Sequence, residues 1–282
     1  MKRVTIIDAN NYGHKAFHTV GSLSYKGIAT GVIYGVLNQL FYTCADVKTD
    51  VIVFCWDGPK SKRRERFPFY KNRPEKPQAE RDQMKEAFYQ FDLLRKYVLP
   101  EMGFINNFWQ SGYEADDLIA SIVKNNPDCF HTICSGDEDL FQLLSTNCQI
   151  YSSKKGGIYT KPNFMKEYKI HPQKWIDVKK LAGCKSDTIP GINGIGEKRA
   201  IAYLTKKMNP NSAFYKKIQQ QKHLVEEHEW LIKLPLPGTC IPDIQPTHLN
   251  GTGFKEICKS FGFTKFNLTE WELVFWNELE TA

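Results

Sequence analysis

The sequence predicts an α/β fold: a central, mostly parallel sheet flanked by helices in the first half of the chain, with helical material after it. Three observations predict it. Val4-Thr5-Ile6-Ile7, Val51 to Trp56 and Phe130 to Cys134 are short runs rich in apolar and β-branched residues, the composition of strands buried on both faces. Between the first two, Val32, Val36, Leu37, Leu40 and Phe41 recur at helical spacing, which makes a β-α-β unit with parallel strands. Each run also stops just before or at an acidic position, Asp8, Asp57 or Asp137.

Taken in order, these elements place acid at one edge of the sheet. Ligands of open α/β sheets bind in the crevice beyond the carboxyl ends of the strands. A single strand-end aspartate is commonly a turn residue or the N-cap of the next helix; three at one edge suggest convergence on a ligand. After Asp57 the chain turns basic. Lys60, Lys62, Arg63, Arg64, Arg66, Lys71 and Arg73 are opposed between residues 60 and 73 only by Glu65, a net charge of +6. Phe67, Phe69 and Tyr70 lie among them, so cations alternate with aromatic faces as a single-stranded nucleic-acid path requires. A solvated charged face is the plainer reading. Pro74 and Pro77 then lead into a helical segment, Gln78 to Tyr97, with Met84, Phe88, Phe91 and Leu94 along one side.

The densest chemistry lies between residues 112 and 140. Glu114, Asp116 and Asp117 form one acidic group and Asp137, Glu138 and Asp139 another, joined by a buried helix through Leu118 to Val123 and the strand ending at Cys134. Clustered carboxylates repel one another unless a cation neutralises them. Hard oxygen donors select Mg²⁺ or Mn²⁺. The competing reading is helix capping, since acidic residues favour first turns.

From about residue 150 the chain reads as lysine-rich helices, Pro162 to Tyr168 and Pro172 to Leu181, and we place a domain boundary there, giving units 1–150 and 151–282. Gly194 and Gly196 then open a helix. Their unpaired N–H groups, beside Lys198 and Arg199, suit a phosphate, with a helix–hairpin packing turn as the structural alternative. Trp271, Val274, Phe275 and Trp276 read as core, and His223 and His228 as surface helix residues.

At 41% hydrophobic and 24% charged, the 282 residues are ordinary globular material. The net charge of +7 coexists with the acidic groups, so positive charge is concentrated elsewhere and favours a polyanionic partner. The eight cysteines form no Cys-x-x-Cys pair, which fits free thiols and argues against a disulfide framework or a zinc site. No apolar run approaches the roughly eighteen residues of a membrane span, and Met1-Lys2-Arg3 leads directly into a strand. A soluble, intracellular protein without membrane association is expected. No Ser-His-Asp or Cys-His nucleophile arrangement stands out.

These pieces, in this order, resemble the 5′-nuclease (flap endonuclease) family, bacterial and bacteriophage type, which includes the 5′–3′ exonuclease domain of DNA polymerase I. The match runs over roughly residues 3 to 205. It rests on Asp8-Ala9-Asn10, Trp56-Asp57, Phe69 to Pro74, Glu114-Ala115-Asp116-Asp117, Ser135 to Leu140, and Ser186 to Gly191 leading into Gly194-Ile195-Gly196-Glu197-Lys198. The resemblance implies a helical arch at about 60–97, through which a 5′ strand passes, and a DNA-gripping helix-three-turn-helix at about 181–205. It implies a structure-specific 5′–3′ exonuclease and flap endonuclease of replication or repair, using two Mg²⁺ or Mn²⁺ ions. Asp8, Asp57, Glu114 and Asp116 would hold or orient the first ion, Asp137 would touch both, and Asp139 and Asp187 would serve the second. Asp117 would act on a metal directly or through water. Lys71, then Arg73 and Arg64, would reach the scissile phosphate; Gly194, Gly196, Lys198 and Arg199 would bind DNA, with K⁺ at the same turn. DNA with a 5′ flap or 5′ end, RNA-primed DNA included, is the implied substrate of a monomer in the cytoplasm of a bacterial or phage-infected cell. The chain ends without room for a polymerase, so a free-standing enzyme is expected.

Two departures stand out. The family usually has an aspartate three residues before Asp187, where this chain has Cys184, and the motif Tyr70-Lys71-Asn72-Arg73-Pro74 is one residue short. Cys184 keeps open a branched-DNA-binding protein with impaired catalysis. A PIN-type ribonuclease shares an acidic α/β core, but would not need the basic arch or the glycine hairpin.

Overall fold

The computed structural model describes residues 1–276. Six strands form one sheet: β1 (Arg3–Asp8), β2 (Val51–Cys55), β3 (Asn107–Phe108), β4 (Phe130–Cys134), β5 (Cys148–Ser152) and β6 (Gly157–Tyr159), in the order β3-β2-β1-β4-β5-β6. β1 is central. It pairs in parallel with β2, Val4 opposite Val51 through Asp8 opposite Cys55, and with β4 on its other side, Arg3 opposite Phe130 through Ile7 opposite Cys134. Only the edge strand β6 runs antiparallel, against β5.

Successive strand residues face opposite sides, and the core divides accordingly. Val4, Ile6, Val51, Val53 and Cys55 pack on one face against α5 (Ala115–Asn125), joined by Trp175, Val178, Ile192 and Ala200. Ile7, Ile52 and Phe54 pack on the other, against α1 (Ala9–Val20), α2 (Gly31–Asp46) and α4 (Gln78–Leu93). Each fully buried Ile, Val or Phe contributes about 1.5–3 kcal/mol, so both layers are firmly attached to the sheet. Gln90, buried on α4, ties two of these helices together. Its side-chain oxygen accepts from the N–H groups of Val32 and Ile33 at 2.9 and 3.3 Å, satisfying donors that the start of α2 leaves open.

Four expectations change here. The boundary at residue 150 falls inside β5, because residues 148–159 extend the central sheet. The region 151–282 is not one helical unit either: Leu249, Phe254, Ile257, Phe263 and Trp271, from residues leading into and forming α10 (Gly251–Phe261) and α11 (Leu268–Trp276), return to the core on the α2 face. His228 is buried, its ring edge-on to Phe69 at 5.9 Å, because the turn Lys222–His228 tucks under the basic segment; His223 remains exposed. Phe88 is 48% exposed although Phe91 and Leu94 beside it are buried. Trp271 is core as expected, and the side chain of Trp276 lies outside the described residues. All eight cysteines are free, and no described helix is long and apolar enough to cross a membrane.

Candidate metal centre and nucleic-acid interface

The carboxyl ends of the three parallel strands β2, β1 and β4 bring Asp57, Asp8 and Asp137 to one edge of the sheet, where the strand order reverses about β1. Asp8 is 6% exposed. One of its oxygens accepts the Asn11 N–H at 3.0 Å, capping α1, and the other accepts the Ser135 hydroxyl at 2.7 Å. Burial pushes this carboxyl up to about 7 against the stabilising hydrogen bonds, and repulsion from Asp57 and Asp137 adds to the rise. Asp116, in the first turn of α5, is raised well above the usual carboxylate range, by burial first and then by Asp137 and Asp8. Asp57 accepts the Ala115 N–H at 2.8 Å, while its own N–H donates to Asn10 at 2.9 Å. Asp137 accepts the Asp139 N–H at 2.8 Å. Capping and convergence therefore coexist: the same aspartates start helices or turns and crowd negative charge together.

A second group lies alongside. Ligand atoms of Asp139, Cys184 and Asp187 all fall within 4.8 Å of one another. Cys184 sits on a two-residue ribbon, Gly183–Cys184 against Ile189–Pro190, that follows helix Lys161–Tyr168 (α6) and helix Trp175–Ala182 (α7). Gly183 has φ +75° and a side chain there would strike the Gly191 N at 2.4 Å, so only glycine admits this close return. The Cys184 sulfur is 3.8 Å from Asp139 Oδ2 and 2.9 Å from Ser186 Oγ. Burial, then Asp139, pushes its thiol up to about 11. Asp139 itself is raised to about 6, by burial and then by Asp137, while Lys179 opposes the rise. The buried Lys179 ammonium lies 3.5 Å from Asp139 Oδ1 and 3.1 Å from Glu197 Oε1.

The basic segment enters the site through Lys71. Its ammonium is 2.9 Å from Glu114 Oε2 and 3.9 Å from Asp187 Oδ1, and the buried Tyr70 hydroxyl donates to the same Glu114 oxygen at 2.8 Å. Burial alone would lower the Lys71 pKa, but Glu114 overrides it and holds the ammonium protonated. The backbone N–H of Lys71 donates to the Asp187 carbonyl at 2.8 Å, so this loop is sewn to the second group. Arg64 donates to the Lys71 carbonyl at 3.0 Å and Arg73 to the Ser186 carbonyl at 3.2 Å, so these two side chains fasten loops and do not point at carboxylates.

Asp117 departs from its expected role. Its oxygens take a bidentate bond from Arg63 at 2.6 and 2.8 Å, the Leu236 N–H at 2.8 Å and the Glu114 N–H at 3.1 Å, with both charged side chains almost wholly buried. A carboxylate so engaged has no oxygen to give directly to a metal. Arg63 correspondingly leaves the solvated basic face: α3 (Lys62–Arg66) plugs it into the interior, where it also donates to the Leu231 carbonyl at 3.0 Å.

Further along, Gly194 has φ +82° and Gly196 precedes the first residue of α8 (Glu197–Leu204). A Cβ at Gly196 would meet nothing within 4 Å, so this side of the turn is open, with Lys198 and Arg199 exposed beside it, while the Ile195 N–H is taken by the Ile192 carbonyl at 2.8 Å. Arg199 bonds the Gly194 carbonyl at 2.6 Å and stacks 3.7 Å from the Phe214 ring of α9 (Ala213–Gln221). Several working residues escaped the sequence reading. Ser135 and Asn10 lie inside the motifs without a role that the sequence assigns, and Tyr70 reads from sequence only as an aromatic face. Lys179 carried no signal beyond membership of a lysine-rich helix.

Residues 3–169 match the family model described as 5′-3′ exonuclease, N-terminal resolvase-like domain. The 5′-3′ exonuclease of Aquifex aeolicus is 33% identical over 211 residues, covering 73% of this chain and 70% of that protein. Its Bacillus subtilis counterpart is 35% identical over 193 residues, covering 66% of this chain and 62% of that protein. The bacteriophage T5 D15 flap endonuclease, in a pseudo-enzyme-product complex with DNA and metal ions, shares the fold with a TM-score of 0.70 at 19% identity, over 83% of this chain and 90% of that one. With the family model covering more than half of the chain and the strand-end aspartates in place, the chain belongs to the 5′–3′ exonuclease family.

Proposed function

We propose that this protein is a divalent-metal-dependent nuclease that hydrolyses DNA at 5′ ends and 5′ flaps. The observation that carries the reading is the gathering of carboxylates from three strand ends, with the Lys71 ammonium of the basic segment reaching in beside them. The donor set fits hard divalent cations at the first position: Asp8, Asp57, Glu114, Asp116 and Asp137 offer oxygens only, and the raised Asp8 and Asp116 carboxyls mark negative charge in need of a counter-ion. Mg²⁺ or Mn²⁺ there, with a second ion near Asp139 and Asp187, would supply Lewis acidity for water attack and for the leaving oxygen.

The chain's own groups do the rest. Tyr70 and Lys71 hold Glu114 from above, and Lys71 is the cation able to turn from Glu114 toward charge developing on a phosphate. Arg64 and Arg73 keep that loop in place. Arg63 and Asp117 lock the base of the basic segment to α5, so the orientation of Glu114 at the head of that helix is fixed. Gly194, Gly196, Lys198 and Arg199 present backbone N–H groups and positive charge for duplex phosphates, and K⁺ at this turn belongs to the same proposal. A monomer in the cytoplasm, acting also on RNA-primed DNA, completes it.

A 5′-labelled flap substrate incubated with Mg²⁺, and in parallel with EDTA, tests the proposal through the length of the product. Metal-dependent cutting near the flap junction is expected. Retarded migration without cutting would make the protein a branched-DNA binder, and preference for RNA would make it a ribonuclease.

A further inference from the structure

We propose that Asp139, Cys184 and Asp187 form a mixed oxygen–sulfur site that takes a borderline, thiophilic divalent cation, Zn²⁺ or Cd²⁺, in preference to Mg²⁺. The inference rests on the nuclease reading only for the place of this site beside the strand-end carboxylates; its chemistry is local. Three potential ligand atoms already lie within 4.8 Å of one another, and the separation of the Cys184 sulfur from Asp139 Oδ2 is 3.8 Å. A tetrahedral cation with a metal–sulfur bond of about 2.3 Å and a metal–oxygen bond of about 2.0 Å spans roughly 3.5 Å between those atoms. Only a small adjustment separates the two.

Two features turn this site away from Mg²⁺. The ion demands about six oxygen ligands in an octahedron, and a sulfur among them is a mismatch of softness and size. Lys179 is the second. Its ammonium, buried and anchored by Glu197 at 3.1 Å, stands 3.5 Å from the other oxygen of Asp139, partly meeting the charge that a hydrated Mg²⁺ would otherwise satisfy and leaving less room for its water shell. A dehydrated, sulfur-bonded cation on the opposite side of Asp139 avoids both obstacles. Its arrival displaces the thiol proton to solvent and leaves a metal–thiolate bond.

The test titrates metal-free protein with CdCl₂ and follows the ultraviolet charge-transfer absorption of a cadmium–thiolate bond, with circular dichroism to verify that each variant is folded. The exposed Cys240 and the half-buried Cys129 and Cys258 contribute equally to all samples, so the difference from Cys184→Ser reads one thiol. One equivalent of Cd²⁺ should give a band that Cys184→Ser lacks, with Cd²⁺ affinity at least about tenfold weaker in that variant. Cys184→Asp should also lose the band and bind Mg²⁺ about tenfold more tightly. Difference spectra that coincide, or the absence of any band, would overturn the proposal and leave Lys179 as the cation at Asp139. Flap cutting is scored separately in Mg²⁺. The band without cutting supports the site and sinks the nuclease reading alone; cutting without the band does the reverse.

Discussion

The carboxylates at the strand ends and those around Cys184 are held by different kinds of structure. Asp8, Asp57 and Asp137 follow strands of the central sheet, each within three residues of a strand's last position, so a rigid, hydrogen-bonded platform fixes their spacing. Asp139, Cys184 and Asp187 hang from a short 3₁₀ turn and a two-residue ribbon, where a thiol and an ammonium stand among the carboxylates. In the first set the charges repel one another, so the state of each carboxylate depends on the others. The second departs from the family pattern at Cys184. The strand-end group is all oxygen and rests on the sheet, while the group beside it mixes oxygen, sulfur and an ammonium on short loops.

Breaking the two groups separately should give unequal losses. Asp57→Asn or Asp137→Asn is expected to depress flap cutting by at least about a thousandfold with DNA binding nearly intact, since each removes an anionic oxygen from the platform. Single-turnover assays over a range of Mg²⁺ concentrations check this, and near-normal turnover would sink the two-metal reading. Asp139→Asn should instead be partly rescued by high metal, because Lys179 remains beside it.

Lys71 sharpens the comparison because it touches both groups. Lys71→Ala should lower the single-turnover rate about a hundredfold and affinity less than about threefold, as a contact made mainly in the transition state does. Equal losses in both would make it a threading contact.

Protonation separates the groups in a third way. Burial first, and then neighbouring carboxylates, push Asp8 up to about 7 and Asp139 up to about 6 from the usual 3.8. These two groups therefore bind more protons in the folded state than in the unfolded chain over this interval, so their contribution to metal-free stability is full below pH about 4 and is lost as pH rises through about 6 and 7. Thermal melts in EDTA should drop by about 5 °C between about pH 5 and about pH 7.5, and Mn²⁺ should restore the loss. Asp8→Asn should flatten this dependence more than Asp139→Asn; equal flattening would place the stored repulsion in both groups alike.

The smallest expected effect lies farthest from the carboxylates. Replacing Lys198 and Arg199 by Ala should reduce the slope of log affinity against log salt by about 2, two phosphates fewer being neutralised. An unchanged slope would return the glycine turn to a packing role.

The strands, the intervening helices and the three strand-end aspartates were legible because a two-residue alternation and a helical stripe are written locally. Asp117 was not. It stands beside Asp116 in the same acidic run, and only Arg63, fifty-four positions away in sequence, decides that one faces the crevice and the other a buried guanidinium. Cys184 was legible as a departure, but its nearness to Asp139 depends on a tight return at Gly183. Lys179 was hidden because burial of a lysine needs two acids from distant elements. The return of residues 249–271 to the core had its trace in Trp271, whose partners no periodicity names.

The ammonium of Lys179 is shared between Asp139 and Glu197, and Glu197 is the first residue of the helix that carries the glycine turn. Whatever binds at either end competes for, or releases, the same charge. A cation at Asp139 would push Lys179 toward Glu197 and screen an acid that would otherwise oppose a phosphate at the head of α8. On the proposed function, DNA and metal affinities are then expected to be reciprocally linked, each raising the other by one factor. The linkage is measurable as a metal-dependent shift of DNA affinity, and Lys179→Met should reduce that shift relative to the wild type; an undiminished shift would mean that Lys179 does not couple the two ends.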